Sequence, residues 1–313
     1  MPVVPPRSER LESQATVPSQ RGVKDMATSP KSRVAERIAQ LAATAASQNT
    51  AAAVPGTGIS SPVAEISRDT VQPKLERTGA KIKERAHPDR LKQDYLNYLF
   101  WLHEFVLDPP TEQLFFVPTK KRVRLANLTI RSHNREHGHD YRPTPCKLFE
   151  WVLGAIEYDF SRLTFVDHGA GKGRVLLLAS EHPFQAIGGI EFAEELHDDA
   201  IMNIQQYPRS RMKCRNVECV LGDASEVGPP EGETLHYFFS PFSREVFAEV
   251  LHNIVVSYRQ KPRRLYVVLI DPPEVADLME KSGAFMRLEL PLQQRLKMRL
   301  FSPYEVVLYR SLA

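Results

Sequence analysis

The stretch VDHGAGKGR, running from Val166 to Arg174, places glycines at 169, 171 and 173 just behind an acid, Asp167. Glycines at alternate positions let a ligand or a neighbouring chain approach the backbone with no Cβ in the way. Two phosphate-binding patterns can be tested against this loop. A P-loop needs glycine five residues before its Gly-Lys pair and Ser or Thr after it; here Val166 and Gly173 stand at those places. A dinucleotide loop needs GxGxxG, and Arg174 occupies the position of the third glycine. The charge argues the same way, because Asp167 would repel a pyrophosphate and suits a guest with a positive amino group.

The elements that position this loop repeat along the chain. From Thr144 onward, apolar runs alternate with helical periodicity: LTFVDHGA, QAIGGIE, VECVLGDA, TLHYFFSPF and RRLYVVLIDPP read as strands, with helices between them. Near-continuous apolar strands alternating with helices imply a mostly parallel sheet covered on both faces. Ligands of such sheets bind outside the carboxyl ends of the strands. Thr144 followed by Pro145 reads as an N-cap opening the helix before the first strand. FMRLELP and YEVVLYRSL read as two closing strands.

The strand ends carry further acids. Glu191 follows Gly188-Gly189-Ile190, 22 residues after Gly169, where a carboxylate can accept hydrogen bonds from ribose hydroxyls. The third strand ends in Asp223-Ala224 and the fourth in Phe239-Ser240-Pro241-Phe242. Three acids without a phosphate-binding cation pattern fit an adenosine ligand with an amino-acid tail, S-adenosylmethionine (SAM).

With these residues in place, the region from Tyr141 to Ala313 resembles a class I SAM-dependent methyltransferase. The run YRPTPCKLFEWVLGAIEYDFSRLTFVDHGAGKGR is similar to uncharacterised bacterial members and, more distantly, to Dot1-like lysine methyltransferases. The resemblance implies a Rossmann-like, seven-stranded, mostly parallel sheet. It implies that Asp167, Gly169, Ala170, Gly171 and Gly173 hold the methionine part, Glu191 the ribose, and Asp223 with Ala224 the adenine. It recruits Tyr141 and Thr144 to fold over the cofactor, and Ser240, Pro241 and Phe242 to position a methyl acceptor. The sequence departs from the family at two places. His168 stands where a small or apolar residue is usual, and Ser240 where amine-methylating members carry Asn or Asp. Asp271-Pro272-Pro273 ends the next strand, but Glu274 replaces the aromatic such a motif needs, so it reads as a turn. The acceptor is left open between protein amine, small molecule and RNA. Two other classes stay in view: a non-catalytic SAM-fold scaffold, and an NAD-dependent oxidoreductase, which Asp167 and the glycine spacing oppose.

His133, His137 and His139 cluster in SHNREHGHDY, but no Cys or carboxylate set joins them at ligand spacing, so no metal is expected. This polar loop is expected over the cofactor or substrate mouth. His168 reads as a hydrogen-bonded structural histidine in preference to a proton acceptor. The three cysteines, Cys146, Cys214 and Cys219, contain no CxxC pair and point to reduced thiols in a cytoplasmic protein. No apolar run approaches the roughly 18 residues that span a bilayer, and the N-terminus MPVVPPRSER has no signal-peptide core.

Residues 1–85 contain no aromatic residue and are rich in Ser, Thr, Ala and Pro, a composition that predicts disorder. Within them, KSRVAERIAQLAATAA (31–46) sets Val34, Ile38 and Leu41 on one helical face, a candidate segment for a protein partner. Residues 86–140 form a helical and β appendage, with QLFFVP and RVRLANLTI expected to pair as strands, and 141–313 form the main domain. Residues 1–90 carry a net charge of +5 and 91–313 a net of −2, which argues against a main domain built chiefly to hold nucleic acid. The basic runs at 209–215 and 259–264 are expected at the sheet edge away from the ligand; RLKMRL (295–300) is expected to border the substrate side.

Overall fold

Strands as apolar as TFVDH, AIGGIE and LYVVLI cannot leave one face in water, and each is buried along its whole length. They belong to a sheet of seven strands: β1 (Thr164–His168), β2 (Ala186–Glu191), β3 (Val217–Leu221), β4 (Thr234–Phe239), β5 (Leu265–Ile270), β6 (Phe285–Leu288) and β7 (Val306–Ser311). The computed structural model describes residues 88–102, 107, 117–272 and 275–312. The sheet order is β3-β2-β1-β4-β5-β7-β6. Strands β1 to β5 pair in parallel, and β7 runs antiparallel to β5 and β6. This is the Rossmann-like, mostly parallel architecture expected from the sequence. The winding reverses between β1 and β4, so a crevice opens at their carboxyl ends.

Seven α-helices accompany the sheet among the described residues: α1 (Pro88–Leu102), α2 (Cys146–Leu153), α3 (Arg174–Ser180), α4 (Glu194–Gln206), α5 (Arg244–Gln260), α6 (Ala276–Lys281) and α7 (Leu292–Phe301). The period-2 alternation of β1 sends Phe165 into one core and Val166 into the other. The first core collects Leu148 and Phe149 of α2, Leu176 of α3 and Ile204 of α4. The second collects the stripe Val246, Phe247, Val250, Leu251, Ile254 and Val255 of α5, each worth about 1.5–3 kcal/mol of burial. Helix α3 is buried on every side. It sits close to β2 because a Cβ on Gly189 would lie 2.7 Å from Leu176 and 2.8 Å from Ala170.

Three local expectations change. RVRLANLTI is not a hairpin strand: Val123 bridges Tyr141, Leu125–Asn127 is a 3-10 turn, and Ile130 bridges Ala193. Its apolar residues Leu128 and Ile130 are spent on a small core with Ala193 and Leu196 of the main domain instead of on a strand partner. Helix α2 starts at Cys146 with Pro145 as its cap and no side-chain cap. Thr144 is buried, and its carbonyl accepts from the Arg174 Nε at 2.7 Å. RLKMRL lies in a helix, α7, whose Met298 joins the first core while Leu292, Leu296 and Leu300 face outward. The tail 1–85, its segment 31–46 and Glu274 lie outside the described residues, as does most of QLFFVP. No helix among the described residues is long and apolar enough to cross a membrane.

Candidate functional site

The glycine loop leaves β1 with Gly169, Gly171 and Gly173 at φ 87°, 54° and 75°, a region that side chains avoid. A Cβ on Gly169 would collide with Pro241, and one on Gly171 with the Tyr141 ring. Gly173 turns the other way, against Ala200 of α4, and does not border the crevice. Its role here is to let the helix approach. The loop amides are largely spent inside the protein. Gly169 and Ala170 donate to the Ile190 carbonyl at 2.9 and 3.0 Å. Gly171 donates to Glu191 Oε2 at 2.7 Å, and Gly173 to the Ala170 carbonyl at 2.9 Å. Lys172 is buried and paired with Asp199 at 2.9 Å. Among the described residues, a phosphate would find most of the amides of this loop engaged and its lysine already paired.

The crevice encloses about 880 Å³, including space open to solvent. Of the candidate cofactor residues, Tyr141, Thr144, Asp167, Gly169, Ala170, Gly171, Glu191, Asp223 and Ala224 border it, as do Ser240, Pro241 and Phe242. Arg174 borders it too, but its guanidinium is directed to the Thr144 carbonyl, Thr119 Oγ1 and Cys146 Sγ, pinning the segment before α2.

The three acids differ in their partners. Asp167 is buried, and among the described residues no side chain or amide hydrogen-bonds its carboxylate. Burial, with the nearby Glu191 charge, holds its carboxyl well above the ordinary range. Burial also pushes Glu191 up to about 7, although the Ala193 and Gly171 amides oppose the shift. Asp223 is the reverse case. Burial would raise it, but hydrogen bonds outweigh that and its carboxyl sits below the usual value. Its Oδ2 accepts from Ser132 and from Asn134 at 3.0 Å, and Oδ1 from the Ser225 amide and hydroxyl at 2.9 and 2.8 Å. Four donors fill a carboxylate, so Asp223 clamps the segment preceding Tyr141.

That segment, residues 117–142, forms a strap over the crevice. The Thr129 amide donates to Glu195 and the Glu194 amide to the Thr129 carbonyl. Tyr141 lays its ring on Gly171 and donates its hydroxyl to the Thr119 carbonyl at 2.7 Å. Further along, Gly138 bridges Phe242, and His139 donates its amide to the Pro241 carbonyl at 3.1 Å. The polar loop SHNREHGHDY is thus at the mouth, as its sequence implies, with Asn134, His139 and Asp140 bordering the crevice. Ser132 and Asn134 carry no motif; only the position of their loop marked them.

His168 sits off the crevice. Its Nε2 lies 3.0 Å from His236 Nδ1 on β4, and its ring stacks on Phe238 at 4.3 Å. Burial lowers His168 to about 3 and His236 well below its ordinary value, so the pair is neutral. A His168→Leu variant is expected to keep ligand affinity within about threefold while losing roughly 1–3 kcal/mol, since the buried His236 Nδ1 loses its only partner among the described residues and the stack on Phe238 goes with it. Calorimetric titration with a parallel melt checks this; a large affinity loss would place the ring at the ligand instead.

No protein-family model and no curated protein matches the chain. Among solved structures, the mitomycin 7-O-methyltransferase MmcR is similar at 18% identity and TM-score 0.38, over 53% of this chain and 53% of that one. The pyocyanin biosynthetic protein PhzM is similar at 16% identity and TM-score 0.38, over 52% and 54%. Magnesium protoporphyrin IX methyltransferase ChlM from Synechocystis PCC 6803, with bound SAM, is similar at 13% identity and TM-score 0.37, over 53% and 76%. The chain therefore spans about half the length of the first two.

Proposed function

We propose that the crevice binds S-adenosylmethionine and that the protein transfers its methyl group to an acceptor at the end of β4. The carrying observation is Asp167: a buried carboxylate on the crevice wall that no described residue hydrogen-bonds, beside a second raised carboxylate. Such a pair calls for a guest that brings positive charge and hydrogen-bond donors. The α-amino group of the cofactor would meet Asp167, and the ribose hydroxyls would meet the lone pairs that Glu191 keeps beyond its bonds to backbone amides. The adenine edge would rest against Ala224, with Asp223, its carboxylate already filled by Ser132, Asn134 and Ser225, shaping that end of the crevice, and Tyr141 with Thr144 would close over the cofactor. When bound, SAM supplies an electrophilic methyl on a sulfonium. The chain's own contribution begins with alignment of the two partners in a preorganised site.

Parallel titrations with SAM and NADH test the assignment. SAM is expected to bind and to raise the melting temperature; at one hundred times its dissociation constant, a ligand adds about 2.7 kcal/mol to the native state. Binding of the dinucleotide alone would sink the proposal.

A non-catalytic SAM-binding scaffold is the second reading. It is favoured by the engagement of the Ser240 and Pro241 carbonyls with His139, in the very segment expected to position an acceptor. SAM binding without transfer of labelled methyl to the protein, nucleic-acid or metabolite fraction of a lysate would select it.

A further inference from the structure

Resting on the SAM-binding reading, we propose that His139 is the general base of the transfer and that the acceptor is a hydroxyl group. His139 Nδ1 lies 2.8 Å from the Ser240 carbonyl oxygen, and its own amide donates to the Pro241 carbonyl at 3.1 Å. A carbonyl oxygen cannot donate, so Nδ1 carries the hydrogen, and in the ring's neutral form this leaves the lone pair on Nε2. A backbone carbonyl thereby fixes the tautomer, as the orienting group does for a catalytic histidine.

The placement fits this role. His139 borders the same crevice as Asp167 and Gly169. Gly169 packs against Pro241, so the glycine loop, the β4 end and the histidine are contiguous. Ser240 holds φ 41°, a conformation rare outside glycine, and its carbonyl is the one that receives the ring. No other histidine borders the crevice among the described residues. The remaining acids there are occupied differently: Asp223 is filled by four donors, and Asp140 accepts from the Leu125 amide at 2.8 Å. Tyr141 donates its proton to Thr119 and is made a weaker acid by burial.

A base at this place also speaks to the acceptor. A neutral amine attacks through its own lone pair before it loses a proton, whereas a hydroxyl becomes a competent nucleophile as its proton is drawn off. A hydroxyl needs one acceptor for its single proton, and Nε2 is one acceptor. In the step, the hydroxyl oxygen forms a bond to the methyl carbon as the carbon–sulfur bond breaks. That bond's electron pair goes to sulfur, leaving the neutral thioether S-adenosylhomocysteine. The hydroxyl proton passes to Nε2, and the exposed imidazolium returns it to solvent.

The test needs no acceptor. It compares S-adenosylhomocysteine with an analogue that carries an amino group on carbon where SAM carries its sulfonium methyl. In the wild type, that amino group is expected to donate to Nε2 and bind tighter. His139→Asn retains a donor near the Nδ1 position, so the Ser240 bond can persist, but it lacks Nε2. Its analogue-to-homocysteine affinity ratio is expected to fall about tenfold or more, with S-adenosylhomocysteine affinity unchanged. A purely positional histidine predicts an unchanged ratio, which would overturn the proposal while leaving the SAM-binding reading intact. Failure of the wild type to bind either compound removes both. Should the variant not fold, imidazole ¹⁵N spectra of the wild type decide: Nε2 must respond to the analogue and not to S-adenosylhomocysteine, and equal responses refute the role.

Discussion

Replacing Gly171 by valine is expected to abolish SAM binding while the domain remains folded. Two independent costs meet at this residue. Its φ of 54° is hostile to a β-branched side chain, and the first added carbon would enter the Tyr141 ring. The ring has no easy retreat. Its hydroxyl is anchored on the Thr119 carbonyl at 2.7 Å, and its backbone pairs with Val123 on both sides, at 2.9 and 3.3 Å. The loop must therefore move, and the Gly171 amide leaves Glu191 as it does so. Strain of this kind costs about 1–3 kcal/mol, against a typical stability of roughly 5–15 kcal/mol. Binding, which depends on the loop backbone, should fall below detection. Titration calorimetry and a circular-dichroism melt separate the two effects. An affinity within about threefold of wild type would refute the placement of the ligand against this loop.

The site was legible where its signals are local. Asp167, Glu191 and Asp223 each end an apolar run, and a parallel sheet brings such ends together whatever the remaining sequence. Departures from regular patterning were not legible. The strap makes isolated bridges and 3-10 turns, and these leave no periodicity to read. The clamp of Ser132 on Asp223 joins residues 91 apart in the chain, and the ring of His139 meets a carbonyl 101 residues away. His168 could not be understood without His236, 68 residues later on the adjacent strand. Helix α7 leaves no apolar stripe to read, because its leucines face outward and Met298 alone is buried, so its basic residues dominate the pattern. Gly173 shows the opposite limit: its type and spacing matched a ligand loop, yet Ala200 is what approaches it.

Replacing Asp167 by asparagine should move stability and binding in opposite directions. Asp167 and Glu191 are held by burial above their ordinary ranges, Glu191 at about 7. In the unfolded chain such carboxyls titrate near 4. Between those limits the native state binds more protons than the unfolded one, so the ligand-free protein loses stability as pH rises through the window, from about 4.5 to about 7 for Glu191. Above the range in which both carboxyls titrate, both charges are buried at a cost. There, asparagine removes the Asp167 charge without changing the shape, and the ligand-free melting temperature is expected to rise, by roughly 2–4 °C for each kcal/mol recovered. The same change deletes the acceptor for the cofactor's amino group. Charge-assisted hydrogen bonds contribute about 1.5–3 kcal/mol each, so SAM affinity should fall on the order of a hundredfold. For the wild type, binding a cation stabilises the ionised carboxyls. SAM affinity should therefore climb as pH rises through about 7, where Glu191 titrates, with proton uptake by the buffer measurable by calorimetry in buffers of different ionisation enthalpy. In the variant, only the Glu191 part of that proton release should remain. A variant that loses stability and retains affinity would instead identify Asp167 as a structural acid, and the positive end of the ligand would have to be sought elsewhere in the crevice.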